Sequence, residues 1–381
     1  MKATARVLVV LGVVALLLFA VSRILLTRVF TATDRRAAPG SEMVGAALPS
    51  LADASGWLNG GPLTPDSLRG HLTVVALWSD TDPECLRALP VLQSWHQAYA
   101  RYGARIVGVH EPDFAFAADP SVPARLALRM GLSFPIALDP AYAIRRHLGG
   151  PSDGPRLVLA DPAGTIVSAA SGRGQLAGIE RALRSQLKQL HPELDFPSDP
   201  GLASGPSPAR PTAEAPGARV VPLGSTRVRE GPLAGATPGR AQPFTAQFRY
   251  QVEGKPYVPY PVGLWSPGGE GITAARGGAE NFIALRYDAG ALWAVLSPPQ
   301  GETVRVWVLR DEKWLPADAL GADARLDGRG DSYIEVSEPR LYAVCRERAG
   351  EHVVKLSPAT PGVTVHALIV EPAASAASAP E

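Results

Sequence analysis

The clearest pattern in the chain is an uninterrupted apolar run followed by a helical repeat. Residues 74–78 (VVALW) are apolar and partly β-branched, which is typical of a buried strand. The polar residues 79–82 (SDTD) and then Pro83 predict a helix N-terminus with proline in its first turn. Apolar residues then recur every three or four positions until Gly103. The stretch therefore predicts a strand, a short loop and an amphipathic helix that carries Cys85 in its first turn.

The following residues continue an alternation of strands and helices. Apolar runs at 104–110, 154–161 and 165–170 predict three more strands. Leucine and isoleucine at helical spacing predict a final helix from about residue 173 to residue 190. Residues 46–191 are therefore predicted to form one α/β domain.

The pattern changes after this helix. Residues 192–242 are rich in Pro, Gly, Ala and Ser without periodicity, which predicts an exposed linker, with one edge strand of the next domain at about 225–232. Residues 243–372 contain short apolar runs separated by turns, a spacing that predicts a β-sandwich. These runs are 282–286, 292–296, 304–309, 333–336, 341–345, 352–356 and 363–370. Residues 373–381 are predicted to be a flexible tail.

The first 30 residues predict an export or membrane segment. Two basic residues precede the charge-free run 7–22, and residues 24–30 extend the apolar stretch. The sequence AVS at 20–22 also fits a signal-peptide cleavage site. An uncleaved transmembrane helix over residues 1–30 is favoured, because the second apolar stretch brings its length close to a full span, and residues 31–45 then form a tether. The remaining domains are expected in the periplasm or an equivalent extracytoplasmic space, attached to the inner (cytoplasmic) membrane.

Composition narrows the function classes. The chain has 381 residues, enough for two or three domains, and its formal net charge of +1 gives no electrostatic support for nucleic-acid binding. The only cysteines are Cys85 and Cys345, so a disulfide framework is excluded, although one bridge between them is an alternative to two buried thiols. The sequence has no CxxC, HExxH or Cys/His cluster, so neither a metal site nor a cofactor is predicted.

The segment around Cys85 resembles the membrane-anchored thioredoxin-like proteins of the TlpA and ResA type. Their motif reads F-W-A-T-W-C-P-P-C-R-x-E-L-P, and residues 77–90 read LWSDTDPECLRALP here. Asp82 thus stands where the family has its attacking cysteine, and only the resolving cysteine remains. The resemblance implies a thioredoxin-like fold, in which Pro155 takes the place of a cis proline that faces the motif and helps to bind a substrate strand. The candidate site residues are Cys85, for any catalysis, with Asp82, Pro83, Glu84, Trp78 and Pro155 shaping the site.

Two further stretches resemble DipZ-type proteins. Residues 107–114 (VGVHEPDF) are similar to the thioredoxin domains of such proteins and of those fused to NHL repeats, and residues 337–342 (SEPRLY) to their C-terminal domain. The resemblance covers residues of about 45–372. It implies that the C-terminal sandwich is a jelly roll similar to carbohydrate-binding modules.

The replacement of the attacking cysteine determines the predicted function. A helix N-terminus lowers the pKa of a cysteine placed there, whereas Asp82 uses the same N–H groups as a cap worth about 1 kcal/mol. Asp82 and Glu84 together oppose ionisation of Cys85, and a single thiol cannot cycle between a dithiol and an intrachain disulfide. We therefore expect a degenerate site with weak or no redox turnover, which binds an extended polypeptide or a protein partner in the groove between Asp82 and Pro155.

Two alternative functions stay open. In the first, Cys85 works alone, through mixed disulfides or peroxide chemistry like that of peroxiredoxins, although Asp82 occupies the position of their threonine. In the second, the sandwich binds a glycan or a partner in the cell envelope through exposed tryptophans. The candidates are Trp265, Trp293, Trp307 and Trp314. Trp265 is expected to be the most exposed because a Pro-Gly-Gly turn follows it.

Other residues have simpler interpretations. Trp78 and Trp95 are predicted to pack in the core. His110 is predicted to be a hydrogen-bonded loop histidine at the end of a strand. Residues 327–331 (DGRGD) are predicted to form a turn, with calcium ligation by Asp327 and Asp331 as the alternative.

Overall fold

The computed structural model describes residues 41–149, 154–172, 175–193, 218–245, 254–288, 290–346 and 350–371. The predicted anchor at 1–30, the first ten residues of the tether and the tail at 373–381 lie outside these residues, so those predictions stay open. No helix within the described ranges has both the length and the hydrophobicity to cross a membrane. We refer to residues 41–193 as the α/β part and to residues 218–371 as the β part.

The α/β part is built on a six-stranded sheet in the order β1-β4-β3-β2-β5-β6. Its strands are β1 Gly56–Leu58, β2 Leu72–Trp78, β3 Ala104–His110, β4 Ile136–Leu138, β5 Arg156–Ala160 and β6 Ile166–Ser171. Its helices are α1 Pro65–Leu68, α2 Pro83–Tyr99, α3 Ser121–Arg129, α4 Ala143–His147 and α5 Leu176–Leu190. Strands β2, β3 and β4 are parallel, and the outer pairs are antiparallel. The predicted thioredoxin-like α/β fold is confirmed.

Both faces of this sheet are buried, which explains the continuous apolar pattern of its central strand. All seven residues of β2 are buried. Val74, Ala76 and Trp78 face a core shared with α2 and α5, while Val75 and Leu77 face a second core on the other side. The predicted core residues Trp78 and Trp95 are 1% and 0% exposed. A strand covered on both sides has no reason to alternate polar and apolar residues.

Helix α2 has the ends that its sequence predicts. Asp82 is the N-cap and Pro83 occupies the first turn. A short 3-10 turn, Ala100–Tyr102, follows the helix, and Gly103 then adopts a left-handed φ of 87°. Glycine tolerates this conformation without strain, so it terminates the helix and lets the chain turn into β3.

The β part contains 13 strands, all antiparallel, in a single hydrogen-bonded system. The strands are β7 Arg219–Pro222, β8 Gln242–Phe244, β9 Pro259–Pro267, β10 Ile272–Ala274, β11 Phe282–Asp288, β12 Ala291–Ser297, β13 Val304–Arg310, β14 Lys313–Trp314, β15 Ala324–Leu326, β16 Ser332–Val336, β17 Arg340–Arg346, β18 Glu351–Pro358 and β19 Thr364–Glu371. Strand β9 pairs with β11 at one end and with β8 and β10 at the other, so the strands fold over into two layers around one apolar core. The predicted all-β class is confirmed.

The predicted edge strand lies elsewhere in the chain. It was expected at 225–232, but the strand that pairs with β19 is β7, Arg219–Pro222. Val221 and Leu223 enter the core of the β part, with exposed fractions of 2% and 0%. Residues 218–223, which were predicted to lie in the linker, therefore belong to the β part. Val221 and Leu223 are separated by one residue, so in an extended chain both side chains lie on the face that points to the core.

We predict that Gly108→Ala destabilises the protein and that Gly178→Ala does not. A Cβ atom at residue 108 in β3 would lie 2.9 Å from Nε1 of Trp78 and 3.0 Å from a ring carbon of Phe134, so overpacking should cost about 1–3 kcal/mol. A Cβ at residue 178 in α5 meets no atom within 4 Å, and alanine should stabilise this helix by up to about 1 kcal/mol. Urea unfolding of both variants measures the difference. Equal midpoints for the two variants would contradict the packing around β3.

Candidate functional site

The candidate site lies where the parallel strands β2 and β3 end. Residues 79–82 follow β2 and residues 111–114 follow β3, so both loops meet at the carboxyl edge of the sheet. Asp113 in the second loop accepts hydrogen bonds from the Ser79 hydroxyl at 2.5 Å and the Thr81 hydroxyl at 2.8 Å. These bonds hold the loop before α2 against the loop after β3. In open α/β sheets, this edge is where ligands bind.

The carboxylate of Asp82 accepts hydrogen bonds from three backbone N–H groups. One carboxylate oxygen accepts from Glu84 N at 2.7 Å and Cys85 N at 3.4 Å, which caps α2. The other oxygen accepts from Gly154 N at 3.0 Å. Burial raises the pKa of Asp82, and the three N–H groups counteract part of that rise. The carboxylate therefore ties the start of α2 to the segment that enters β5.

Cys85 is a buried thiol. It is 2% exposed, and burial raises the pKa of the thiol well above its usual range, with the negative charge of Asp82 adding to the rise. Cys345 is also free and buried, in the core of the β part, where its sulfur lies 3.4 Å from the Tyr287 hydroxyl. The alternative of a Cys85–Cys345 bridge is therefore wrong.

Gly154, the residue before Pro155, is bonded to Asp82 of the motif, but the cis bond expected for Pro155 is wrong. Among the described residues the cis peptide bond is Gly61–Pro62. Pro83, Gly154 and Pro155 are all buried. The N–H of Gly154, next to the proline, is already bonded to Asp82. Asp82 and Glu84 thus contribute the partly exposed surface of this site.

A small cavity of about 50 Å³ lies behind the motif. Its walls include the predicted site residues Trp78, Asp82 and Cys85. They also include four charged residues that sequence reasoning missed: Glu111, Asp113, Arg145 and Arg156. The only sequence signal for Glu111 and Asp113 was their place directly after a buried strand. Arg145 and Arg156 come from α4 and the start of β5, and no local pattern relates them to Cys85.

Glu111 and Arg156 give this cavity its unusual electrostatics. Burial raises the pKa of Glu111 to about 7, although the guanidinium of Arg145 lies 3.5 Å away and opposes the shift. Burial also lowers the pKa of Arg156, which is 6% exposed and whose Nε has no hydrogen-bond partner within the described residues. The cavity can hold a few ordered waters and store a proton on Glu111.

His110 differs from its predicted loop position. It is the last residue of β3, 2% exposed, and its Nε2 lies 3.0 Å from a carboxylate oxygen of Asp80. The expectation of a hydrogen-bonded histidine is confirmed, but the residue lies in a strand. Within the described residues no group of three or more His, Cys, Asp or Glu is arranged to hold a metal ion. Asp327 bonds the N–H groups of Arg329 and Asp331 as part of a turn.

The tryptophans of the β part have different environments from those predicted. Trp265 was expected to be the most exposed, but it is fully buried and donates to the carbonyl of Val262 at 2.8 Å. Strand β9 continues beyond it, so the turn does not expose its side chain. Trp293 donates to Glu371 at 2.7 Å. Trp307 and Trp314 instead pack together on an outer face, at 6.0 Å between ring centroids.

Comparisons with known proteins agree with the DipZ-type resemblance. A family model described as a thioredoxin-like C-terminal domain matches residues 228–369. Protein DipZ of Mycobacterium bovis is 34% identical over 155 residues, or 39% of this chain and 22% of that protein, and DipZ of Mycobacterium tuberculosis gives the same values. The chain thus spans 22% of the length of these curated relatives. It is a thioredoxin-fold protein similar to DipZ.

Two solved structures match the chain over a little more than a third of its length. A thiol-disulfide isomerase from Corynebacterium glutamicum is 24% identical with a TM-score of 0.33, over 37% of this chain and 96% of that chain. Peroxiredoxin Q from Xanthomonas campestris is 20% identical with a TM-score of 0.29, over 36% and 98% respectively.

We predict that Glu111→Gln stabilises the protein at alkaline pH and not at acidic pH. With a folded pKa of about 7 against an ordinary 4.5, the folded state binds this proton more tightly than the unfolded state. Ionisation therefore lowers stability as the pH rises from 4.5 through 7, by at most roughly 3 kcal/mol. The gain of the variant should be complete at about pH 8 and absent at about pH 4, measured by urea unfolding across this range.

Glu302→Gln, at an exposed position, is the control for loss of one carboxylate. A stability difference for Glu111→Gln that is the same at every pH would show that Glu111 ionises as an ordinary surface residue.

Proposed function

We propose that this chain is a binding protein of the thioredoxin-like oxidoreductase type in which thiol–disulfide turnover has been lost. The observation that carries the proposal is the position of the Asp82 carboxylate. It occupies the helix N-terminus, where a second thiol would be needed for Cys85 to form an intrachain disulfide. Residues 1–30 are proposed to anchor it in the inner membrane, with the described parts in the periplasm or an equivalent compartment. The similarity to DipZ supports the oxidoreductase ancestry.

The chemistry of Cys85 supports a lack of turnover. A disulfide exchange step needs a thiolate that can reach a disulfide, and the resulting mixed disulfide needs a second thiol to resolve it. Cys85 is buried, its pKa is raised well above the usual range, and Cys345 lies in a different core. Neither the attack nor the resolution has a suitable group.

The same facts weigh against the one-cysteine alternative. Peroxide reduction and mixed-disulfide formation both start from the thiolate, whose population falls as the pKa rises. Asp82 and Asp113 place negative charge beside the sulfur, and burial excludes the water that would stabilise the anion. Cys85 has the environment of an inert structural cysteine.

The proposed ligand of the site is an extended polypeptide or a protein partner. Asp82 and Glu84 are partly exposed beside Pro155 and offer carboxylate acceptors for N–H groups or basic side chains. A partner that needs the N–H of Gly154 must displace the Asp82 bond, whereas one that binds to the carboxylates can leave it intact.

A second candidate function is glycan binding by the β part. Trp307 on β13 lies opposite Tyr333 on β16, with ring centroids 5.7 Å apart, and Trp314 on β14 packs edge-on to Trp307. Trp314 is 38% exposed, and the guanidinium of Arg305 lies 4.6 Å from the Tyr333 ring. A cluster of partly exposed aromatic rings with an arginine offers apolar faces and hydrogen-bond donors to a sugar.

We predict that wild-type protein does not reduce insulin above the dithiothreitol blank, and that Asp82→Cys does. The substituted thiol would lie at the N-cap of α2, where N–H groups of the first turn stabilise a thiolate, and Cys85 would resolve the mixed disulfide. Under oxidising conditions the variant should lose the mass of two hydrogens as the intrachain disulfide forms.

Asp82→Ser is the matched control, because serine also caps a helix but brings no thiol. Insulin reduction by wild-type protein at the rate of Asp82→Cys would refute the proposal. Free-thiol titration of all three proteins excludes unfolding as the cause of any difference.

For the β part, we predict that Trp314→Ala lowers binding of the full-length protein to a glycan array by about fivefold or more, since stacking on an aromatic ring contributes roughly 1 kcal/mol. Leu190→Ala, which removes an apolar side chain that is 48% exposed on α5, should leave array binding unchanged. Array binding that is absent in the wild type, or equal in both variants, would remove this candidate.

A further inference from the structure

The carboxyl edge of the first sheet, a usual ligand site, is covered by the β part. The loop after β3 carries Phe114, which is 4% exposed. This side chain packs in an apolar cluster with four residues of the β part: Val295, Leu341, Ala367 and Ile369. Leu86, the residue after Cys85, packs against the same cluster. The β part therefore touches the loop after β3 and the first turn of α2, both of which belong to the candidate site.

Charged residues surround this apolar centre in a complementary arrangement. On the β part, Glu338 accepts from Arg125 at 3.0 Å and from Arg129 at 2.5 Å, both of which lie on α3. Glu270, also on the β part, accepts from the backbone N–H of Ala115 at 2.8 Å. Carboxylates of the β part thus face arginines and a backbone donor of the α/β part.

The third carboxylate reaches the motif itself. Glu371, which is 5% exposed at the end of β19, bonds the guanidinium of Arg87 and the indole N–H of Trp293. The same guanidinium bonds Glu84, the residue between Pro83 and Cys85. A chain of contacts, Trp293–Glu371–Arg87–Glu84, therefore joins the β part to the first turn of α2.

We propose that the β part covers the carboxyl edge of the sheet in the α/β part as an intramolecular ligand. Its release exposes this edge, together with the first turn of α2 that carries Cys85, to a partner. The exposed surface would present Phe114 and Leu86 surrounded by Arg87, Arg125 and Arg129. The partner that fits this surface is an apolar segment flanked by carboxylates, the chemistry that the β part itself supplies.

The proposal does not depend on whether the site turns over disulfides, because it concerns access and not redox chemistry. Leu86 and Arg87 follow Cys85 in the same helical turn, so their contacts with the β part hold the turn that carries the thiol against the core in which Cys85 packs. Replacing the buried carboxylate of Glu371 removes the charge that joins Arg87 to the β part while Arg87 keeps its bond to Glu84, and loss of a buried partner weakens docking more than loss of an exposed ion pair.

The experiment measures alkylation of each cysteine of the full-length protein by N-ethylmaleimide, with mass spectrometry to distinguish the two. Glu371→Gln should raise the rate at Cys85 by about tenfold or more, and the double variant Arg125→Gln/Arg129→Gln, whose ion pairs are half-exposed, should raise it by about threefold. Cys345 lies in the core of the β part away from this surface, so its rate reports general unfolding and should stay unchanged.

Glu351→Gln is the matched control, since Glu351 bonds Arg286 at 2.6 Å within the β part and is 55% exposed. The proposal is overturned if Cys85 reacts at the wild-type rate in both interface variants, or if the control accelerates it equally. It is also overturned if Cys85 and Cys345 accelerate together, because the thiol is then reached by unfolding. The arginine variants alter half-exposed side chains on α3, so they test docking even where Glu371→Gln fails to fold.

Discussion

The carboxylate of Asp82 is the interaction on which the candidate site depends. Its two oxygens bind the N–H groups of Glu84, Cys85 and Gly154, so one side chain fixes the start of α2 and the approach to β5. This arrangement uses the polar groups that a thiolate and a substrate strand would otherwise share. Asp82 acts as the N-cap of α2, and burial together with the negative charge of Asp82 raises the pKa of Cys85.

The α/β part and the β part meet at this same site. The loops that end β2 and β3 form the motif on one side and the contact with the β part on the other. Arg87 lies at the junction, since its guanidinium bonds Glu84 of the motif and Glu371 of β19. A change in docking of the β part is therefore transmitted to the first turn of α2 through the Arg87 side chain, whose bond to Glu371 is strengthened because that carboxylate is buried.

The local hydrophobic pattern was sufficient to locate elements with strong periodicity. It failed where contacts with other strands determine whether a segment forms a strand or a side chain is buried. The buried strand β2 and the amphipathic helix α2 lie where the pattern placed them. Strand β9 was missed because prolines at 259, 261 and 267 argue against a strand, although it pairs along both ends. Trp265 was expected on the surface but is buried, and no exposure was predicted for Trp314. A sequence does not say which face of a sandwich another layer covers.

By itself the sequence determined the class of each part, the capped helix and the position of Asp82 three residues before Cys85. These are properties of neighbouring residues, set by hydrophobic spacing and by the chemistry of a helix N-terminus. Only the tertiary structure decided the partners of that site: the cavity with Glu111 and Arg156, and the contact of Arg87 with Glu371. Those residues are far apart in the chain, and burial and charge pairing depend on which surfaces meet, a property that no local pattern contains.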